Sequence, residues 1–264
     1  MADQFLIVSD VDGTLLGDDA ALRAFAEWIE PRRDSVRLAY SSGRFAHSVA
    51  ASIRATPLPE PDAIIGGVGT QIVEWPADRP LDGWPVLAGR WDADAVREAL
   101  IGQAGLELQP ELFLSDYKIS FFAYDATPRQ LRRWQRRLEA AALAVQLVYS
   151  SGRDLDVLPA GISKGAAAAF LAQRWKTPPT QVIVCGDSGN DLSMFQLGYR
   201  GVVVGNALAE LRAHQGPVVH HSRGSYAAGV LEGVQHWLAC SESFVAASIS
   251  NGSTATGRAA QTPG

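Results

Sequence analysis

The stretch FLIVSDVDGT, residues 5–14, decides the fold of this chain. It opens with a continuous apolar run, which is typical of a strand that is buried on both faces of a parallel sheet. Two carboxylates, Asp10 and Asp12, stand where this strand ends. Open α/β sheets bind their ligands at the carboxyl ends of their strands. The stretch therefore predicts the first strand of a parallel sheet with a ligand site at its end.

The same apolar signature recurs along the chain. A helical pattern follows the first strand, and further runs that predict buried strands occupy residues 36–40, 63–65, 181–185 and 201–204. Strands that alternate with helices build a doubly wound sheet. The sequence thus predicts an α/β fold whose Rossmann-like core is formed by residues 1–82 and 160–240.

Residues 83–159 break this alternation. Two helical patterns and three strand patterns follow one another there, near residues 92–103, 118–124, 128–142, 145–149 and 154–158. Such a mixture is typical of a small α+β unit. We expect this segment to be a cap domain inserted into the core.

The bulk composition is that of a globular protein. The chain has 264 residues, of which 47% are hydrophobic and 19% are charged, so it is able to bury a sizeable core. A net charge of -5 argues against a nucleic-acid partner, because binding to a phosphate backbone needs a clustered basic face. The dense basic run at residues 129–137 is predicted to be the solvated face of an amphipathic helix, with a binding patch as the alternative.

The remaining bulk signals concern compartment and ends. Cys185 and Cys240 are too few for a disulfide framework, and the sequence contains neither a signal-peptide pattern nor an apolar run of roughly 18 residues. A cytoplasmic protein without a membrane partner is therefore expected. Residues 241–264 are rich in small and polar residues, and they are predicted to be a disordered tail.

Asp10 and Asp12, two positions apart, suit two separable tasks. One carboxylate can attack phosphorus, while the other, with its pKa raised by its environment, protonates the leaving oxygen. Gly13 would permit a tight chain reversal that brings backbone N–H groups near a phosphate. The alternative for a bare pair of this kind is a plain turn.

Two further segments offer phosphate ligands. Ser42, Gly43 and Arg44 follow the second predicted strand, where a small hydroxyl beside a glycine is able to bind a phosphate oxygen. Lys164 opens an Ala-rich helix, where a cation would neutralise a nucleophile and a phosphoryl group. The alternatives are an ordinary loop for the first segment and an exposed lysine for the second.

The hexapeptide GDSGND, residues 186–191, is the most specific signal in the chain. It follows a predicted strand and places Asp187 and Asp191 four positions apart. Hard carboxylate oxygens of this kind suit Mg²⁺, and a helix cap would need only one aspartate. Because a carboxylate must approach an anionic phosphate, the sequence predicts a Mg²⁺ site formed by Asp10, Asp187 and Asp191.

Four segments in chain order, DVDGT, SSGR, SKG and GDSGND, resemble the four motifs of phosphatases of the haloacid dehalogenase superfamily. The resemblance covers the chain up to about residue 237. It implies a Rossmann-like core with a cap between the second and third motifs. It also implies one role for each matching residue: Asp10 as nucleophile, Asp12 as general acid/base, Ser42 as phosphate ligand in place of the more frequent Thr, Lys164 as charge neutraliser, and Asp187 and Asp191 as Mg²⁺ ligands beside Asp10 and the carbonyl of Asp12.

The runs YSSGRDLDVLP and VCGDSGND are similar to those of sucrose-phosphate phosphatases, and the first also resembles mannosylfructose-phosphate phosphatases. The resemblance implies hydrolysis of a disaccharide phosphate, sucrose 6-phosphate first, through an aspartyl-phosphate. Polar cap residues are expected to select the sugar, because an unpaired buried donor or acceptor is costly. The candidates are Lys118, Ser151, Arg153, Asp154 and Asp156 in the cap, Thr70 and Gln71 at the core edge, and Ser188, Asn190 and Asn206 as supporting residues, with a surface ion pair as the alternative for Arg153 and Asp154.

Other functions remain open at this level. Within enzymes, the alternatives are mannosylfructose-phosphate phosphatase, another glycoside-phosphate phosphatase, or a phosphomutase. From a different class, the chain could be a non-catalytic sugar-binding module, although all four motif aspartates are present. A monomer is expected, with a sugar-phosphate synthase as a candidate partner.

Overall fold

The computed structural model describes residues 4–85, 87 and 89–252, with side chains described up to residue 240. Within these residues the strands are β1 Phe5–Asp10, β2 Val36–Ser41, β3 Ala63–Gly66, β4 Gln71–Glu74, β5 Arg79–Pro80, β6 Glu107–Leu108, β7 Ile119–Phe122, β8 Val145–Ser150, β9 Asp154–Pro159, β10 Val182–Gly186, β11 Arg200–Val203 and β12 Val219–His221. The α-helices are α1 Asp19–Ile29, α2 Ala46–Ala55, α3 Ala93–Leu100, α4 Pro128–Ala140, α5 Lys164–Arg174, α6 Leu192–Phe195, α7 Ala209–Arg212 and α8 Tyr226–Gly252.

A large sheet forms the centre of the molecule, in the order β12-β11-β10-β1-β2-β3-β4-β5. Its strands from β12 to β3 are parallel, and β1 lies between β2 and β10. Leu6, Ile7 and Val8 on β1 are fully buried, as expected for a strand covered on both faces. The predicted α/β fold with a doubly wound sheet is confirmed.

One edge of this sheet departs from the parallel prediction. β4 and β5 pair antiparallel with their neighbours. A tight turn at Gly67–Gly69 joins β3 to β4, and such a short connection allows only an antiparallel return, because a parallel strand needs a crossover.

A small sheet in the order β6-β7-β9-β8 is antiparallel throughout. Helices α3 and α4 cover it, and they bury Trp134, Leu138 and Phe121 in a hydrophobic cluster separate from that of the large sheet. Below, the small sheet with α3 and α4 is named the cap, and the large sheet with its helices is named the core. We propose that the cap corresponds to residues 83–159, because this second cluster lies within that segment.

The start of α5 is fixed by a close approach of backbone. Gly69, in the turn after β3, has a φ of 102°, and a Cβ there would lie 2.3 Å from the carbonyl oxygen of Ser163. Ser163 caps α5 by accepting a hydrogen bond from the N–H of Ala166. The turn at Gly69 and the Ser163 side chain at the start of α5 together place Lys164 at the carboxyl end of the core sheet.

Helix α4 is amphipathic. Trp134 and Leu138 are buried, while the arginines of the basic run are exposed: Arg129, Arg132, Arg133, Arg136 and Arg137.

Among the described residues no helix is both long and apolar enough to cross a membrane. Helix α8 extends into the segment predicted to be a tail, and residues 253–264 of that segment lie outside the described residues.

Candidate active site

The carboxyl ends of the central core strands face the cap across a cavity of about 450 Å³. Asp10 ends β1 and Asp12 follows it, and the loop after β10 brings Asp187 to the same place. Parallel strands converge here because their carboxyl ends share one edge of the sheet. The other predicted residues that line the cavity are Gly43, Arg44, Lys118, Ser151, Arg153, Asp154, Asp156, Ser188 and Asn190.

Lys164 is the charged centre of the core side. Its Nζ lies 2.7 Å from Oδ1 of Asp10 and 2.7 Å from Oδ1 of Asp191, and its side chain is fully buried. Burial disfavours the charged amine, but the two carboxylates outweigh this effect, so the pKa of Lys164 is raised above its ordinary value. The lysine is therefore held as a cation between two of the motif aspartates.

Asp10, Asp187 and Asp191 form a group that could hold a metal ion, because each offers a carboxylate oxygen within 4.8 Å of the others. Oδ2 of Asp10 is buried and has no hydrogen-bond partner. Burial and the two neighbouring carboxylates raise the pKa of Asp10, and Lys164 only partly opposes them. Burial, followed by Asp191, raises the pKa of Asp187 to about 6. Carboxylates that lie close together, repel one another and leave one buried oxygen without a partner fit a hard divalent cation.

The loop after β10 is held by one of its own aspartates. Oδ2 of Asp191 accepts hydrogen bonds from the N–H groups of Asp187 and Ser188, at 3.0 Å and 3.1 Å. Thr14 donates to Oδ1 of Asp187 at 3.2 Å. Gly13 has a φ of 83°, which favours glycine, and a Cβ there would lie 2.6 Å from Oδ2 of Asp187 and displace that carboxylate. The first and fourth motifs are thus in direct contact.

Asp12 is oriented by the second motif. Nε of Arg44 donates to Oδ2 of Asp12 at 2.7 Å, and Oγ of Ser42 donates to the same oxygen at 3.3 Å. Nη1 of Arg44 also donates to Ser52 at 2.9 Å. Arg44 thus lines the cavity while its guanidinium group is paired with Asp12. The predicted phosphate contacts of Ser42, Gly43 and Arg44 stay predictions.

The cap side of the cavity is a polar network. Nζ of Lys118 lies 3.0 Å from Oδ1 of Asp156 and donates to Ser120 at 2.7 Å. Lys118 and Asp156 are buried, so this ion pair is shielded from bulk water. Arg153 pairs with Asp154 at 2.8 Å, as the surface-pair alternative proposed, and both residues also line the cavity.

Sequence reasoning missed several residues of this wall. Gln109 donates to Oδ1 of Asp154 at 2.9 Å, and Phe113 and Phe122 also line the cavity. Gln109 lies beside β6, a strand of two residues whose sequence carries no recognisable pattern. No local signal could have selected Gln109, whereas strand alternation puts Phe122 on the same face as Lys118 and was the available signal.

Three predicted residues lie elsewhere. Thr70 and Gln71 line a different cavity, of about 460 Å³, where Thr70 donates to the carbonyl of Gly67 and Gln71 accepts from the N–H of Ala46. Their hydrogen bonds stabilise the turn after β3 and the start of α2. The amide of Asn206 donates to the carbonyl of Gly13 at 2.7 Å, so it supports the loop after β1.

A parallel sheet with paired aspartates after β1, a buried lysine at the start of α5, an acidic loop after β10 and a covering cap defines a phosphatase of the haloacid dehalogenase superfamily. Such an enzyme hydrolyses phosphoric monoesters. The chain belongs to the sucrose-6F-phosphate phosphohydrolase family, whose model matches residues 3–238.

Known proteins agree with this assignment. The chain is 38% identical over 238 residues to the mannosylfructose-phosphate phosphatase of Agrobacterium fabrum, covering 88% of this chain and 96% of that protein. It is 34% identical over 252 residues to sucrose-phosphatase 2 of Nicotiana tabacum, covering 89% of this chain but only 59% of the tobacco protein. The structure of the sucrose-phosphatase from Synechocystis sp. PCC6803, in complex with sucrose and phosphate, matches with a TM-score of 0.84 and 32% identity, covering 90% of this chain and 98% of that one.

Proposed function

We propose that this enzyme hydrolyses the phosphate monoester of a disaccharide, with sucrose 6-phosphate as the first candidate. The observation that carries the proposal is one cavity of about 450 Å³, which has Asp10 on its core side and the polar residues Lys118, Arg153 and Asp156 on its cap side. The core side suits the phosphate, which needs a nucleophile, and the polar cap side suits the sugar, whose hydroxyl groups need hydrogen-bond partners. The names of the tobacco and Synechocystis relatives support sucrose as the sugar.

The reaction follows from the hydrogen bonds on the core side. Oδ1 of Asp10 is held by Lys164, which leaves the unpartnered Oδ2 as the attacking oxygen. As the bond between Oδ2 and phosphorus forms, the bond from phosphorus to the sugar oxygen breaks, and Asp12 gives its proton to the departing sugar. Water then attacks the phosphoryl group on Asp10 and returns a proton to Asp12, so free phosphate leaves and both carboxyl groups are restored.

We propose Mg²⁺ as the cofactor. Asp10, Asp187 and Asp191 would hold it, because their carboxylate oxygens are hard donors and lie close together. The resemblance to the superfamily adds the backbone carbonyl of Asp12 as a further ligand. When bound, a divalent cation offsets the repulsion between the carboxylates and the anionic phosphate. Lys164 supplies a fixed positive charge beside the nucleophile.

The stability of the metal-free protein is expected to decrease as the pH rises from about 4 to about 7. The pKa of Asp187 is raised from 3.8 to about 6, so the folded state holds a proton that the unfolded chain has already released. Each pKa unit corresponds to about 1.4 kcal/mol, so the expected loss is on the order of 2–3 kcal/mol. Urea unfolding in EDTA at several pH values measures it, with Asp187→Asn as the reference that lacks the contribution of Asp187.

Saturating Mg²⁺ should remove the difference between acidic and neutral pH, because the ion binds the deprotonated carboxylates. Equal pH profiles for the wild type and Asp187→Asn in EDTA would contradict the assignment of the effect to Asp187.

A panel of phosphorylated sugars tests the proposed substrate. Release of inorganic phosphate is measured with sucrose 6-phosphate, mannosylfructose phosphate and glucosylglycerol phosphate in the presence of Mg²⁺. The highest kcat/KM is expected for sucrose 6-phosphate. A higher value for mannosylfructose phosphate would favour the alternative, sugar-phosphate isomers without free phosphate would indicate a mutase, and no turnover of any member would favour a non-catalytic module.

Arg153→Ala is expected to lower kcat/KM for sucrose 6-phosphate by roughly tenfold to a hundredfold, because a sugar hydroxyl that loses its polar partner in the cavity is left unpaired at a high cost. Arg153 lines the cavity and pairs with Asp154. The effect should be mainly on KM, and p-nitrophenyl phosphate, which has no sugar, should be affected far less.

The matched control for this variant is Arg97→Ala, which also removes an arginine from a cap ion pair. Arg97 lies 3.4 Å from Glu111 and does not line the cavity. A kcat/KM for sucrose 6-phosphate that is equally reduced in both variants would contradict a sugar contact of Arg153.

A further inference from the structure

The cap and the core approach each other closely beside the acidic loop. A Cβ on Gly189, in the loop after β10, would lie 2.7 Å from the carbonyl oxygen of Tyr149 on β8. Any other residue at this position would push strand and loop apart. The cap strand therefore rests directly on the loop that carries Asp187 and Asp191.

One side chain from a third element binds both partners at this contact. Oε1 of Glu210, on α7, accepts a hydrogen bond from the N–H of Ser151 at 2.8 Å and another from the N–H of Gly189 at 3.1 Å. Ser151 belongs to the turn between β8 and β9 in the cap, and Gly189 belongs to the acidic loop in the core. A single carboxylate oxygen thus joins cap and core.

The two segments that Glu210 joins, the acidic loop at Gly189 and the cap turn at Ser151, are fixed to different degrees. The acidic loop has further supports, since Asp191 accepts from two of its N–H groups and the N–H of Leu208 donates to the carbonyl of Asp187 at 2.7 Å. Ser151 has a φ of 57°, a left-handed conformation that costs energy in any residue with a side chain. Its hydrogen bond to a carboxylate helps to keep the turn in this conformation.

The turn carries cavity residues. Ser151 and Arg153 line the cavity, and Arg153 pairs with Asp154 on β9. We propose that Glu210 is a positioning residue that holds this cap turn against the acidic loop, so that the sugar-binding wall is set at a fixed distance from Asp10. Glu210 does not line the cavity, and it acts through the backbone of Ser151. This inference rests on the proposed role of the cap in sugar binding.

The test compares two substrates in two variants. Glu210→Ala removes both hydrogen bonds and is expected to lower kcat/KM for the sugar phosphate by about tenfold more than kcat/KM for p-nitrophenyl phosphate, mainly through KM. Glu210→Gln keeps an acceptor oxygen of the same shape, so it should recover most of this loss. The sugar phosphate is the member of the panel that the wild type hydrolyses best, whichever it is.

Glu232→Ala is the matched control. Glu232 also accepts from backbone N–H groups, those of Arg223 and Gly224, but all of its described partners lie within the core. Its ratio of kcat/KM values for the two substrates should equal that of the wild type. Two results for a folded Glu210→Ala protein would overturn the proposal. One is an equal loss of kcat/KM on both substrates, which would indicate a merely structural role, and the other is no loss on either substrate. If Arg153→Ala still impairs the sugar phosphate in that case, the proposed function stands and only the role of Glu210 fails.

Discussion

We expect Asp10→Asn to lower kcat for phosphate release by at least about 10⁴-fold, because removal of a covalent nucleophile leaves only binding and electrostatic assistance. The amide has the same shape as the carboxylate, and its oxygen is still able to accept the hydrogen bond from Lys164. It cannot form the aspartyl-phosphate. The loss should appear with sugar phosphates and with p-nitrophenyl phosphate alike, since both need the same nucleophile.

The fold of Asp10→Asn should be intact. Burial and two neighbouring carboxylates raise the pKa of Asp10, so a neutral amide relieves repulsion in the metal-free protein. Urea unfolding in EDTA should show a stability equal to or above that of the wild type. Asp34→Asn, at an exposed aspartate away from the cavity, is the matched control and should retain full activity. Turnover of Asp10→Asn at a rate near that of the wild type would refute the covalent mechanism.

Lys164→Met is expected to lower the free energy of unfolding in EDTA by roughly 3–5 kcal/mol, because removal of one partner from a buried ion pair leaves uncompensated charge. Lys164 is fully buried and lies 2.7 Å from both Asp10 and Asp191. Without it, three carboxylates share one buried site with no internal cation. Mg²⁺ should restore part of the stability, since the ion binds the folded state.

Activity should decrease strongly in the same variant, because the nucleophile and the incoming phosphate lose a fixed positive charge. Lys176→Met is the control, since Lys176 is exposed just beyond the end of α5 and its replacement should change stability by less than about 0.5 kcal/mol. A stability loss in Lys164→Met that does not exceed that of the control would show that the buried cation is not required. Activity in Mg²⁺ near that of the wild type would show the same for catalysis.

The core of the site was accessible from the sequence for a physical reason. Asp10, Ser42 and Asp187 each follow an apolar run, and parallel strands bring their carboxyl ends to one edge of the sheet. Local pattern therefore determines long-range proximity in this part of the molecule. The structure groups Asp187 with Asp10 and Asp191, places Lys164 between Asp10 and Asp191, and brings Ser42 into contact with Asp12.

The cap side was only partly accessible. Lys118 and Arg153 were selected as polar residues of the cap and do line the cavity, but Gln109 was missed and Thr70 and Gln71 lie in another cavity. A polar residue at the end of a strand is able either to bind a ligand or to hydrogen-bond a local turn, as Thr70 does with the carbonyl of Gly67. The residue type alone does not distinguish these two roles.

The sequence by itself thus determined the class of fold, including the cap, and it predicted the nucleophile and its acidic partners, since each depends on hydrophobic periodicity and short motifs within one segment of chain. Only the tertiary structure decided the antiparallel edge strands, the buried network around Lys118 and the bridge from Glu210 to Ser151 and Gly189. The edge strands follow from the short turn at Gly67–Gly69, whereas the Lys118–Asp156 pair and the hydrogen bonds of Glu210 join residues that are far apart in the chain. Such long-range partners are selected by tertiary packing, which no periodic pattern within one segment encodes.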